Sequence, residues 1–144
     1  MSAGAVSGSN EAGTSQSQDT GRLRILQVSG SAAGGVRAHL ADCARILASD
    51  GHDVIVEAPV SVLDGLDVAP ARAEALEIGP RPSIGDTLAV ARLRRLGRRA
   101  HAVHAHGLRA GALAALALGR RRRGRTRLVV TLHNLTVGGR LTSL

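Results

Sequence analysis

The stretch LRILQVSGSAAGGVRAHLADCARILASDGHDVIVEAP, Leu23–Pro59, decides the fold of this chain. Leu23–Ser29 is short and mostly apolar, as is typical of a buried parallel strand. A glycine-rich loop over Gly30–Gly35 follows, and then a helix whose apolar residues recur at helical spacing. Asp53–Ala58 predicts a second strand. A β-α-β unit of this length requires a parallel strand pair joined by a right-handed crossover.

The alternation of strand and helix patterns continues along the chain. After an excursion loop, the patterns predict a strand at Ala75–Ile78, a helix capped by Ser83 or Asp86 that runs to about Arg99, a strand at Ala102–His106, a helix at Leu108–Leu118 and a strand at Arg127–Leu132. Such an alternation is typical of an α/β protein with a doubly wound parallel sheet. The helix at Leu108–Leu118 is apolar on most sides, so we expect it to be largely covered.

Length and composition restrict the class of protein. The chain has 144 residues, enough for one domain with a core, and it has no aromatic residue. Residues 1–21 contain almost no large apolar side chain and predict a disordered leader, followed by a domain over residues 22–144. The leader lacks the features of a secretory signal, and no apolar run is long enough to span a bilayer. We therefore expect a cytoplasmic protein.

Charge is unevenly distributed along the chain. Residues 1–86 contain six arginines and all eleven acidic residues, whereas residues 87–144 contain thirteen arginines and no acidic residue. An acid-free basic half can bind anionic lipid or nucleic acid, or its arginines can coat solvated helix faces. Nucleic acid is the weaker interpretation, because the chain lacks the aromatic residues on which bases stack.

Three groups of polar or glycine residues follow predicted strands. They are the loop at Gly30–Gly35, the pair His104 and His106, and the pair His133 and Asn134. Ligands of doubly wound sheets bind beyond the carboxyl ends of the strands, where these groups meet. His104 and His106 are two residues apart and share one face of their strand. Each histidine could instead have no role in binding and be a hydrogen-bonded core residue or an ordinary surface residue.

The sequence argues against two kinds of site. A dinucleotide fingerprint requires G-x-G-x-x-G after the first strand, and Ala32 stands where the second glycine should be. Zinc binding by His104, His106 and His133 is geometrically conceivable, but no carboxylate or thiol signature accompanies them. We therefore expect no metal. Cys43 is expected to be a small buried residue of the first helix rather than a reactive thiol.

Three motifs in order resemble a known family. The segment Arg24–Pro59 with its GGVRAH and GHDV motifs, then VHAHG, then LVVTLHN, is similar to the start of family-4-type glycosyltransferases of the GT-B fold. The resemblance covers roughly Leu23–Leu144. It implies a Rossmann-like domain of three α/β/α layers that binds the acceptor, while a second domain binds the nucleotide-sugar donor.

The resemblance also implies roles for individual residues. Gly34 and Gly35 would approach the donor diphosphate, His106 would lie near the reacting sugar, and the acceptor or the cleft would be lined by the residues His39, His104, His133 and Asn134. Transfer with retention of configuration and without a metal cofactor is implied as well. Partners would be a nucleotide-sugar and a sugar or lipid acceptor, with peripheral contact to an anionic membrane as a further implication.

The sequence departs from the family pattern in one major respect. The donor-binding domain and its paired glutamates, E-x7-E, do not occur in the chain. We therefore expect an incomplete acceptor-side domain of a retaining glycosyltransferase that is inactive alone. Two alternatives stay open. One is a non-catalytic basic module that binds anionic lipid or nucleic acid, and the other is a nucleotide-binding α/β protein of different chemistry.

Overall fold

The fold is an all-parallel five-stranded sheet with helices on both faces. The computed structural model describes residues 21–119 and 126–133. Its elements are β1 (Arg24–Ser29), α1 (Gly35–Ser49), β2 (Asp53–Ala58), α2 (Val60–Leu63), β3 (Arg72–Ala75), α3 (Gly85–Gly97), β4 (Ala102–His106), α4 (Leu108–Leu118) and β5 (Arg127–Thr131). The strand order is β3-β2-β1-β4-β5. This arrangement confirms the expected doubly wound, Rossmann-like α/β/α architecture.

Two apolar layers lie on opposite faces of the sheet, because successive strand residues alternate sides. On one face Ile25 and Val54 pack with Leu40 and other residues of α1. On the other face Leu26 and Val103 pack with residues of α3 and α4. Leu, Ile, Val and Ala fill both layers, since the chain has no aromatic residue.

The third strand lies earlier than the sequence predicts. The apolar pattern favoured Ala75–Ile78, but β3 covers Arg72–Ala75 and all four of its residues are exposed. An edge strand is held by backbone bonds on one side, so it need not be apolar. Leu76 and Ile78 come after the strand and fill the core instead, which explains the misleading signal. The preceding segment, predicted as a loop, also contains the short helix α2.

The cap expected for α3 is also different in the structure. Neither Ser83 nor Asp86 occupies the capping position, which is held by Ile84. The Asp86 carboxylate instead accepts a hydrogen bond from the Ser83 N–H at 3.1 Å and another from Arg109 at 2.8 Å. These contacts, the Arg109 bond first, hold the pKa of Asp86 below its usual range. Asp86 therefore joins α3 to α4 as well as stabilising the start of α3.

Two burial predictions were wrong. Helix α4 is not covered on most sides, since Leu108 is 75% exposed and Leu116 is 64% exposed. Cys43 is half-buried, because Ala41 and Ala44 of α1 fill the layer against the sheet. Within the described residues, no helix combines the length and apolar character needed to cross a membrane.

Candidate functional site

The strand order reverses direction between β1 and β4, and this switch point opens a crevice at the carboxyl ends of the strands. Two adjoining cavities of about 530 and 380 Å³ lie there. Both are lined by Val36 of α1 and by His133 just after β5. The crevice therefore collects residues from the loops that follow three different strands.

One face of the sheet is open beside this crevice. Helix α1 packs over β1 and β2, and no helix of the described residues covers β4 and β5 on the same side. Val129 of β5 is 51% exposed there. His104 and His106 alternate with the buried Val103 and Ala105, which face α3 and α4. Both histidines consequently face the open side.

The glycine loop supplies backbone donors to the crevice. Gly34 precedes α1 with φ of 54° and ψ of −125°, a combination that residues with a Cβ rarely adopt. Space around Gly34 and Gly35 is open, with no atom within 4 Å of a Cβ built at either position. The N–H groups of the first helical turn have no partner within the helix. They can therefore donate to an anion, where the positive end of the helix dipole also favours negative charge.

His106 is the most buried of the crevice histidines, with 2% of its surface exposed. Its Nε2 lies 2.7 Å from Oε1 of the buried Gln27. An amide oxygen only accepts hydrogen bonds, so Nε2 carries the proton and donates it. The unprotonated Nδ1 then lies 3.4 Å from Nε2 of His133. His106 thus presents a fixed lone pair towards the crevice.

Burial and three neighbouring histidines keep His106 neutral. Desolvation is the main cause, followed by repulsion from His104, His39 and His133, and together they lower the pKa of His106 to about 3. The pKa of His104 is also lowered, first by burial and then by His39 and His133. At neutral pH both rings therefore act as neutral hydrogen-bonding groups.

His104 lies deeper in the sheet than the crevice. Its Nε2 is 2.7 Å from Oγ1 of Thr131 on the neighbouring strand, and its ring centroid lies 4.1 Å from that of His106. The ring does not line either cavity. His104 therefore contacts the ring of His106 from deeper in the sheet. Thr131 lines the larger cavity.

His39 of α1 faces the other two crevice histidines. Its ring lies 5.6 Å from the ring of His106 and 5.2 Å from that of His133, both edge-on. Its Nε2 is 3.4 Å from Sγ of Cys43, one turn along the helix. Burial, and next the charge of Asp42, raise the pKa of the Cys43 thiol.

Three histidines from three elements therefore meet at one point. One ring nitrogen each of His39, His106 and His133 lies within 4.8 Å of the others. The three zinc-binding histidines considered from the sequence included His104 in place of His39. Strand positions alone could not show that α1 turns His39 towards the ends of β4 and β5.

The structure brings most of the predicted site residues together and adds two. Gly35, His39, His106 and His133 line the cavities, and Gly34 begins the adjoining helix. Asn134 lies outside the described residues. Sequence reasoning missed Gln27 and Thr131. Gln27 carried a signal, because a buried amide within an apolar strand requires a hydrogen-bond partner.

Comparison with models of protein families gives a match over most of the chain. A model of the glycosyl transferase 4-like domain matches residues 34–143. The match begins at the glycine loop and includes all of the crevice histidines. Comparison with curated proteins gives no match.

Solved structures give a similar answer for the fold. The crystal structure of a glycosyltransferase from Rickettsia africae ESF-5 superposes with a TM-score of 0.61 at 20% sequence identity. The alignment covers 78% of this chain and 30% of the Rickettsia chain. At this identity the likeness supports the fold, and the present chain spans about a third of the length of that protein.

Proposed function

This chain belongs to the glycosyl transferase 4-like domain family, and from that premise we propose that it is the acceptor-side domain of a GT-B enzyme. In this proposal the complete enzyme transfers a sugar from a nucleotide-sugar donor to a sugar or lipid acceptor. A second domain holds most of the donor. The isolated chain therefore does not transfer sugar.

The observation that best supports this proposal is the placement of Gly34, Gly35 and His106 around one crevice. The free N–H groups at the start of α1 suit the diphosphate of a donor, whose charge grows as the bond to the sugar breaks. Nδ1 of His106 can accept a hydrogen bond from a hydroxyl of the transferred sugar. His39 and His133 border the space in which an acceptor would lie.

Retention of configuration is part of the proposal. The crevice side chains that could assist a displacement are neutral imidazoles, and none of the residues lining its two cavities is a carboxylate. Nucleophilic attack by a protein carboxylate therefore has no candidate among the described residues of the crevice. Among routes that retain configuration, this leaves a front-side attack of the acceptor assisted by the leaving phosphate, whose charge the backbone N–H groups would stabilise.

The test begins with the coding sequence beyond Leu144. We expect it to encode a second Rossmann-like domain with the E-x7-E pair. The longer protein is then incubated with a panel of nucleotide-sugars and acceptors, and release of the nucleoside diphosphate is measured. Release by the longer protein but not by the chain alone supports the proposal. A region without such a domain, or turnover by the isolated chain, would contradict it.

A basic surface on α3 supports a second proposal, peripheral contact with an anionic membrane from the cytoplasmic side. Arg95, Arg98 and Arg99 are exposed on or just after this helix and make no ion pair with the acids of the described region. Clustered arginines attract anionic headgroups. Co-sedimentation with anionic but not zwitterionic vesicles at low salt is expected, whereas equal sedimentation with both would contradict this contact.

A further inference from the structure

We propose that His39, His106 and His133 form a three-nitrogen binding site for a divalent transition metal, with Zn²⁺ as the expected ion. This inference concerns the chain by itself and does not rest on the proposed sugar transfer. A metal on Nδ1 of His106 would occupy the lone pair that is proposed to accept a sugar hydroxyl, so the two ligands would compete. The inference also revises the expectation of a metal-free crevice. The trio considered from the sequence contained His104, and His39 takes its place because α1 carries it to the ends of β4 and β5.

The distance between two of the ligand atoms fits zinc. Nδ1 of His106 and Nε2 of His133 are 3.4 Å apart. Two imidazole nitrogens bound tetrahedrally at about 2.0–2.1 Å from Zn²⁺ are separated by about 3.3 Å. A hydrogen bond between two rings could also explain this distance. It does not explain a nitrogen of a third ring, His39, within 4.8 Å of the other two.

The buried histidine is oriented as metal ligands usually are. A metal-bound imidazole typically donates its second N–H to an oxygen acceptor, which fixes the ring and its tautomer. His106 donates its Nε2–H to Oε1 of Gln27 at 2.7 Å, leaving Nδ1 free to bind. Gln27 is completely buried. The ring of His106 is therefore locked in the orientation that a metal requires.

The ligands lie on three separate elements, which favours a defined geometry. His106 ends β4, His133 follows β5, and His39 lies in the second turn of α1. An all-imidazole set suits Zn²⁺, Cu²⁺ or Ni²⁺ rather than Mg²⁺ or Ca²⁺, which prefer oxygen ligands. Three protein ligands leave a fourth position for water or for an oxygen of a bound molecule.

The test measures binding of Zn²⁺ alone to the full 144-residue chain, purified without a polyhistidine tag. Calorimetry is expected to give one Zn²⁺ per chain. His39→Gln and His133→Gln are expected to weaken binding by about 100-fold or more, since loss of even an outer-shell partner costs about 10–100-fold. His39 is exposed, so its replacement should not affect folding. Gln27→Leu is expected to weaken binding by about 10-fold.

Two histidines at the amino-terminal ends of the strands, opposite the crevice, serve as controls. His52 and His101 accept backbone hydrogen bonds from Leu23 and Arg24 and lie outside the crevice. His52→Gln and His101→Gln should leave the affinity for Zn²⁺ unchanged. Substitution of Co²⁺ should give the visible absorption of a four-coordinate ion, and His39→Gln should abolish it.

Three results would contradict the proposed metal site. Binding of Zn²⁺ that is unchanged in both His39→Gln and His133→Gln, or that weakens as much in His52→Gln, would overturn the proposal. No detectable binding by the folded chain would do so as well. Because no sugar, donor or second domain enters these measurements, their failure would leave the proposed sugar transfer untouched.

Discussion

A single hydrogen bond sets the chemistry of the crevice. The bond between Gln27 and His106 fixes which ring nitrogen carries the proton, and burial prevents the ring from gaining a second one. The imidazole is therefore a hydrogen-bond acceptor towards the crevice at every physiological pH. This conclusion holds whether the crevice receives a sugar hydroxyl or a metal ion.

The low pKa of His106 predicts a pH-dependent stability. Between the ordinary value of 6.5 and about 3, the unfolded chain binds a proton that the folded chain does not. The unfolded state binds more protons in this window, so stability is fully present above pH 6.5 and falls as the pH decreases. His104 acts in the same direction.

Nuclear magnetic resonance can check this directly. The ring C–H signals of His106 should not shift between pH 7 and pH 5, since the folded pKa lies at about 3. Replacing His106 with Gln should reduce the loss of thermal stability over the same range. A His106 titration with a midpoint near 6.5 would show that the ring is not held neutral by burial.

Replacement of Gln27 tests the same bond through stability. Gln27→Leu preserves approximate volume but leaves the buried Nε2–H of His106 without an acceptor. We expect a loss of about 1–3 kcal/mol in the free energy of unfolding, the usual cost of an unsatisfied buried polar group. Urea denaturation measures it. The Gln27 Nε2 has no partner among the described residues, so the leucine also removes one unsatisfied group, and a stabilised variant would contradict the assignment.

At the scale of elements, α3 is held to the sheet by an ion pair. Arg92 of α3 contacts the fully buried carboxylate of Glu57 on β2 through two N–O pairs of 2.9 Å, and it also contacts Glu74 on β3. Burial, the largest effect, raises the pKa of Glu57, and the bond to Arg92 opposes that rise. The arginine therefore offsets part of the cost of burying this carboxylate.

Removing the arginine should destabilise the fold. Arg92→Met leaves Glu57 buried without a partner, and we expect a loss of about 2–3 kcal/mol, less than the ~3–5 kcal/mol for a fully buried pair because Arg92 is partly exposed. Chemical denaturation measures the loss, and adding Glu57→Gln should recover part of it. A loss in Arg92→Met no larger than that in Glu74→Gln, which removes only the more exposed partner, would contradict this role of Glu57.

The packing of α4 against β5 depends on a glycine. A Cβ on Gly111 would lie 2.7 Å from Cγ1 of Val130, a distance at which the valine side chain or one of the two elements must shift. Gly111→Ala should therefore destabilise the chain by about 1–3 kcal/mol, although alanine normally favours a helix. Thermal unfolding of the single variants and of Gly111→Ala with Val130→Ala tests this. The double variant should recover stability, and a more stable Gly111→Ala single variant would show that the contact is not close.

Prediction from sequence located four of the five strands to within one residue and failed at the edge strand β3. Strands β1 and β2 are mostly apolar and β4 alternates apolar with polar residues, and the predicted bounds of all three agree with the structure to within one residue. Strand β3 has charged, exposed residues and pairs only through its backbone, so hydrophobicity could not locate it. The exposure of Leu108 and Leu116 could not be predicted either, because the apolar pattern of a helix does not show how many other elements pack against it.

At the scale of the whole molecule, the sheet topology explains why the candidate site could be predicted in part. Residues that follow parallel strands meet at one edge, so the glycine loop, His106 and His133 could be grouped from the sequence. Strand order could not be predicted, and it is the order β2-β1-β4 that puts the start of α1 opposite the end of β4. The contribution of His39 and the partner of His106 both depend on that order.

In the proposed function, this crevice forms the acceptor-side half of a glycosyltransferase site. The most direct measurement is the rate of sugar transfer by the protein that joins this chain to a donor-binding domain, compared with its His106→Ala variant. We expect kcat to fall by about 100-fold or more in the variant, as for loss of a positioned catalytic group. His52 lies at the amino-terminal end of β2, outside the crevice, so the His52→Gln variant should transfer sugar at the unaltered rate. Transfer by folded His106→Ala at the rate of the unsubstituted protein would contradict the claim.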